Sequence, residues 1–200
     1  RSGVVKDALV GLARQRLSGE LIRVNALSVS GLLNRKIGGP SVRPPQPASV
    51  IKEAFGAKWE ASKNADRYRR GLYTFIQRTA PFAQSVTFDF PDIYHPCARR
   101  ERSNTPLQAL TLLTDPLFFE ASQALAQRVL RKIDGDVHQR MDYVFQICTA
   151  RLPTVLERRE LVASHRQLTA VLRQDPRAVA ELVPGYLPAR RGLVQQLVGR

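Results

Sequence analysis

Apolar residues recur at intervals of three and four from about Leu9 to Leu33, with Ile22, Ala26, Val29 and Leu33 in register and Leu17, Leu21 and Val24 beside them. That spacing predicts an amphipathic helix. It gives way to NRKIGGPSVRPPQP, residues 34–47, where Gly38, Gly39 and Pro40 stop a helix and Pro44, Pro45 and Pro47 favour extended chain. Two short runs then have strand character. GLYTFIQR, 71–78, is aromatic and β-branched, and SVTFDF, 85–90, alternates Val86, Phe88 and Phe90 with polar neighbours, so the two are predicted to pair as a small hairpin.

Beyond residue 104 the pattern is helical. Thr105, Pro106 and Gln108 form a capping-box start, with Leu107, Leu110 and Leu113 predicted to face inward. Asp115 and Pro116 repeat the start signal ahead of a stripe of Phe118, Ala121, Leu125 and Val129. A third helix carries Met141, Val144, Phe145 and Cys148 on one face, and a fourth opens at Thr154 with Glu157 and runs to about Leu172. The expected fold is mainly α: one helical domain over 1–172 with a long Pro-rich loop and a small β-hairpin. An irregular tail follows over 173–200, with one short helix near Leu193 to Leu197.

Charge changes this picture more than composition does. The 200 residues hold 31 Lys and Arg against 17 Asp and Glu, a formal charge of +14. Such a surface attracts polyanions such as nucleic acid, anionic headgroups or acidic polysaccharide. No apolar run approaches the roughly 20 residues that span a bilayer. The first residue is Arg1, so the chain is expected to be a fragment of a larger protein. Cys97 and Cys148 are too far apart for any CxxC or CxxCH motif, which leaves no attachment point for a c-type haem in these residues.

Candidate chemistry gathers between residues 66 and 108. Cys148 lies on an apolar stripe and reads as core, whereas Cys97 precedes Arg99, Arg100 and Arg102, whose charge would favour a thiolate. Asp89 and Asp92 are the carboxylates an enzyme site would use. Asp92, His95 and Cys97 are acceptable zinc ligands but have no partner pair elsewhere, so no metal site is expected. Arg67, Arg69 and Arg70 stand before the proposed hairpin, and Arg99, Arg100 and Arg102 follow it. They would either form an anion pocket beside the helix start at Thr105 or pair internally with Asp66, Asp89, Asp92 and Glu101. Tyr68 and Tyr73 interleave with the arginines, but no RNP, KH or helix-turn-helix signature accompanies them, so nucleic acid is not the expected partner.

Four long motifs in order, SGLLNRKIGGPSVRPPQP, DRYRRGLYTF, RTAPFAQSVTFDFPD and CARRERSNTPLQALTLLTDPLFFEASQALAQRVL, resemble a planctomycete cytochrome-c-associated C-terminal domain of unknown function, the PSD-one type. The resemblance covers about Leu17 to Leu172. It implies a mostly helical, extracytoplasmic domain of a multidomain bacterial protein, with no established activity. It singles out Asn34, Arg35, Gln46, Tyr68, Arg69, Arg70, Tyr73, Asp89, Cys97, Arg100, Arg102 and Asn104 among the residues shared with the family. His95 departs from the pattern, and Ile76 stands where an aromatic residue is common. Any haem would belong to a neighbouring domain of the parent.

The leading expectation is therefore a non-catalytic or accessory domain. It would bind another domain of the same polypeptide, or an acidic ligand such as a polysaccharide, through Arg35, Gln46, Tyr68, Arg69, Arg70, Tyr73, Arg100, Arg102 and Asn104. The rivals are a redox-assisting enzyme using Cys97 with Asp89 and Asp92, and a structural spacer.

Overall fold

The computed structural model of the chain describes residues 16–47, 59–78 and 80–175, together with Val179 and Leu182. These residues form six α-helices and two 3₁₀ turns. The helices are α1 (Gly19–Ser30), α2 (Ala83–Thr87), α3 (Pro106–Thr114), α4 (Pro116–Lys132), α5 (Val137–Thr149) and α6 (Val155–Gln174). The mainly α expectation holds. None of these helices is long and apolar enough to cross a membrane.

α1 is shorter than its periodicity predicts. It begins after Ser18 and stops at Gly31, which takes the left-handed conformation (φ +83°) and donates its N–H to the Ser28 carbonyl, seven residues before the Gly38-Gly39 pair. The stretch of the predicted helix before Arg16 lies outside the described residues, as does the predicted short helix near Leu193 to Leu197. The buried stripe of α1 is Gly19, Arg23, Leu27 and Ser30, one step round from the predicted apolar stripe. Gly19 lies so close to Phe88 that an added Cβ would fall 2.6 Å from the Phe88 Cβ.

α4 is the main partner of α1, and its small Ala121 and Ala124 are buried beside Leu117, Phe118 and Val129. Asp115 starts α4 by accepting the Leu117 N–H at 2.8 Å. At the other end Arg128 donates to the carbonyls of Ser28 (3.2 Å) and Val29 (2.7 Å), placing a cation on the carbonyl end of α1.

The predicted hairpin is replaced by a different arrangement. Residues 71–73 form a 3₁₀ turn, and the chain around them runs parallel to the Pro-rich loop through isolated bridges Asn34–Arg69 and Val42–Thr74. The second run forms the single turn of α2, which buries Phe82, Gln84 and Phe88 while leaving Val86 60% exposed. Burial of both phenylalanines against α1 and α3 overrides the strand preference of Val86 and Thr87. Under the loop, Trp59 stacks on Phe82 (centroids 5.8 Å apart) and donates its Nε1–H to the Pro44 carbonyl at 2.7 Å.

Two inward-facing expectations are reversed. In α3 the buried residue is Gln108, whereas Leu107, Leu110 and Leu113 are exposed, Leu113 by 77%. Cys148 is exposed too, because α5 packs mainly on α6 and neither covers that end of its stripe. Partial shielding nonetheless raises the Cys148 thiol above its ordinary pKa.

Candidate functional site

The first two motifs interlock around one side chain. Arg69 is 1% exposed, and its guanidinium donates to the carbonyls of Pro40 (3.0 Å), Gly38 (2.5 Å) and Lys36 (3.3 Å). Three carbonyls turned toward one point repel each other, and a planar fork of N–H donors removes that repulsion. Gly38 (φ +75°) and Gly39 (φ +89°) allow the backbone to curl around it. Tyr73 closes the assembly: its ring lies 3.8 Å from the guanidinium carbon, and its hydroxyl accepts the Gly38 N–H at 2.8 Å.

Other shared residues hold the same loop. The Asn34 amide donates to the Ala65 carbonyl (3.1 Å) and accepts the Lys36 N–H (3.0 Å). Gln46 accepts the Ala83 N–H (3.2 Å) at the start of α2. Tyr68 donates to Glu120 at 2.6 Å, and Arg67 pairs with the other oxygen of that carboxylate at 3.2 Å. Beneath them Arg23, 2% exposed, donates to the Arg67 carbonyl (2.8 Å). Burial lowers its pKa to about 10, against a partial opposing pull from Asp115, so it stays charged at neutral pH.

Asp89 occupies a second clamp. It sits at φ +60° and accepts the Ser103 N–H (2.9 Å) and hydroxyl (2.6 Å), which hold its carboxyl below the ordinary range. The buried Gln108 amide adds a longer bond to Asp89 and donates to the Thr87 carbonyl at 2.9 Å. On its other side Gln108 accepts from Thr105 N–H and from Arg16. Asp89 thus ties the turn after α2 to the start of α3. Asp92 lies apart, accepting the Tyr94 N–H (2.9 Å) and facing His95 Nδ1 (2.5 Å) at an exposed position; the first of these bonds lowers its pKa most. Cys97 is exposed on the loop that follows. The described residues contain no group of three or more His, Cys, Asp or Glu placed to hold a metal ion.

What these clamps shape is a groove of about 730 Å³ between α1, α2 and the loops at 71–76 and 90–94. Its wall is largely apolar: Leu21, Leu72, Phe75, Ile76, Val86 and Phe90 contribute. Several of these stand out into solvent, Leu72 by 80% and Ile76 by 55%. At one lip Arg100 donates to both carboxylate oxygens of Glu20 (2.8 and 3.0 Å) and lies 5.7 Å from the Phe90 ring centre. Burial pushes Glu20 up, but its own backbone bond and those from Arg100 and Ser18 outweigh it and leave the carboxyl below its ordinary pKa.

The arginines named from sequence thus divide. Arg69 goes to the interior. Arg70 donates weakly to the Arg35 carbonyl (3.4 Å), whereas Arg100 is among the residues that line the groove. Arg102 and Asn104 are exposed beyond it. Sequence reasoning missed Glu20, Ser103 and Glu120, and it missed the groove. The available signal was a second apolar row on the first helix, Leu17, Leu21 and Val24, beside the one predicted to face inward.

The model of one protein family, PSD1, described as Protein of unknown function (DUF1553), matches residues 5–165. No curated protein and no solved structure matches the chain.

Proposed function

This chain belongs to the PSD1 family of proteins of unknown function, and we propose that it acts as a non-catalytic accessory domain that binds a partner in the apolar groove. The observation that carries this reading is the cluster of large side chains standing exposed around one concavity, with Leu72 80% and Val86 60% accessible. Contiguous exposed apolar surface in a concave site is the usual mark of an interaction surface. The polar residues of the motifs fit the same reading, because Arg69, Asn34, Gln46 and Asp89 hold the loops that build the wall. Asp89 is engaged by Ser103 and Gln108, a holding role rather than a catalytic one. The motif resemblance supports a neighbouring domain of the same polypeptide, cytochrome-c-like and extracytoplasmic, as the partner.

An apolar photoaffinity probe tests the groove against other exposed apolar side chains, among them the leucines of α3. With the full chain, peptide mapping should place most of the label on residues 72–76 and 86–94, and Val86→Asp should remove it while leaving the far-ultraviolet circular dichroism unchanged. Label spread equally over α3, or unaffected by Val86→Asp, overturns the reading.

A further inference from the structure

We propose a second binding site, separate from the apolar groove: a basic cleft of about 470 Å³, between the end of α1 and the last turns of α4, that takes a phosphate dianion, free or as a monoester. α1 reaches it with Ser30, just ahead of Gly31 and Leu32, and α4 contributes Ala124, Gln127, Arg128, Arg131 and Lys132. All three cations line the cleft, and among the described residues no carboxylate lines it with them. That sets it apart from the rest of the fold. Arg100 meets Glu20 in the apolar groove, Arg67 meets Glu120 and Arg158 meets Asp142, whereas Arg128, Arg131 and Lys132 form no ion pair with any described residue.

Two helices end here, and cations beside carbonyl ends are ordinary. That need is already met. Arg128 donates through one terminal nitrogen to the carbonyls of Ser28 and Val29, and Arg140 of α5 donates to the Ile133 carbonyl at the end of α4 (3.3 Å). Arg131 and Lys132 are left over. The Gln127 side-chain oxygen accepts from one terminal nitrogen of Arg131 at 2.9 Å. Each guanidinium is thus steadied through a single nitrogen, and its remaining donors have no partner among the described residues. A donor held in place beforehand loses less freedom when a ligand arrives. The charge count selects the ligand. A carboxylate brings one charge and two oxygens, whereas a phosphate monoester brings close to two charges and three oxygens, enough for two arginine forks and one ammonium. The volume falls within the roughly 300–1,000 Å³ of small-molecule sites, which leaves space beside Leu32 and Ala124 for an esterified body.

The test is isothermal titration calorimetry of the full 200-residue chain at low salt with inorganic phosphate, glucose 6-phosphate, glucuronate and glucose. Phosphate, free or esterified, should bind with a roughly millimolar dissociation constant. Glucuronate should bind about tenfold more weakly and glucose not at all. Arg131→Gln and Lys132→Gln should each weaken phosphate binding about tenfold, with unchanged far-ultraviolet circular dichroism, since both side chains are exposed. The double variant Arg159→Gln/Arg166→Gln, exposed on α6 and outside the cleft, should bind as the parent chain does. Tighter binding of the ester places its sugar in the cleft, and equal affinity makes the free anion the ligand; either supports the site. Absence of binding by both phosphates overturns the proposal, as does affinity that ignores Arg131→Gln and Lys132→Gln. An equal loss in the α6 double variant reports general attraction to a basic surface and overturns it too, and glucuronate binding as tightly as phosphate overturns the choice of a dianion.

Discussion

The described parts of residues 31–82 and the helix pair α5–α6 belong to one chain but are held by opposite means. The loop region has two isolated bridges and two 3₁₀ turns, and its order comes from long side chains reaching across 15 to 44 residues to backbone carbonyls. The helix pair is regular. It is closed by local caps at Asp136 and Thr154 and by the Arg158–Asp142 pair at 2.6 Å, and Val162 is the one residue of these two helices that is buried. Irregular backbone can be the more firmly fixed of the two when dedicated side-chain donors such as Arg69 bind several of its carbonyls at once. A capped helix pair with little buried surface can fray while the rest stays folded.

The sharpest way to break that comparison is Arg69→Ala. It deletes the donors to Lys36, Gly38 and Pro40 and the face against Tyr73, with an expected loss of about 3 kcal/mol. Trp59, the single tryptophan of the chain, is buried within this region, so its fluorescence in urea reports the loss directly. Arg69→Lys should rescue little, since one ammonium cannot span three carbonyls in a plane. A Trp59 midpoint that barely moves in Arg69→Ala would show that the loop is held by its prolines alone.

The two regions also differ in how far they were legible in the sequence. Helix starts were readable because a capping box is a relation between residues three apart: Thr105 with Gln108, and Thr154 with Glu157, adopt the expected reciprocal bonds. The loop was not readable in the same way. Arg69 and Gly38 are far apart in sequence, and nothing local says that, of Arg67, Arg69 and Arg70, the middle one turns inward. The facing of Leu107, Leu110 and Leu113 was misread for the same reason. Periodicity identifies an apolar face but not the element that covers it, and here Gln108 has more to bind in the interior than the leucines do. The groove was least legible of all, since it exists only where α1, α2 and two loops meet.

A smaller effect is expected from Thr154→Ala in the helix pair. The Thr154 hydroxyl accepts the Glu157 N–H, and the Glu157 carboxylate reaches back to the Thr154 N–H at 2.8 Å. Removing the hydroxyl should cost about 1 kcal/mol. If the regions are as separate as their bonding suggests, helicity measured by circular dichroism will be lost at lower temperature while the Trp59 signal stays where it was. Coincident shifts of both probes would show one cooperative unit, and the contrast between the regions would then be one of bonding style only.

The smallest effect, and the most selective, is on pH. Arg151 grips Glu157 through both terminal nitrogens (2.8 and 2.6 Å) and, with the Thr154 N–H, lowers its pKa from 4.5 to about 2. A carboxyl whose folded pKa lies below its unfolded one binds a proton more readily when unfolded. The stabilisation is therefore complete above about pH 4.5 and is lost as the pH falls toward about 2. Arg151 is exposed and Glu157 half-buried at the surface, so the loss is slight and further reduced by salt. Asp89 is lowered in the same direction by Ser103, so the turn after α2, whose Phe82 end packs on Trp59, carries an acid limb of its own. Glu157→Gln separates the two: it keeps an acceptor for the Thr154 N–H but has no proton to gain. Its helicity should be nearly flat over that window while the Trp59 signal still titrates with Asp89. If helicity in Glu157→Gln falls with acid as steeply as in the parent chain, the Arg151–Glu157 pair is not what holds the start of α6.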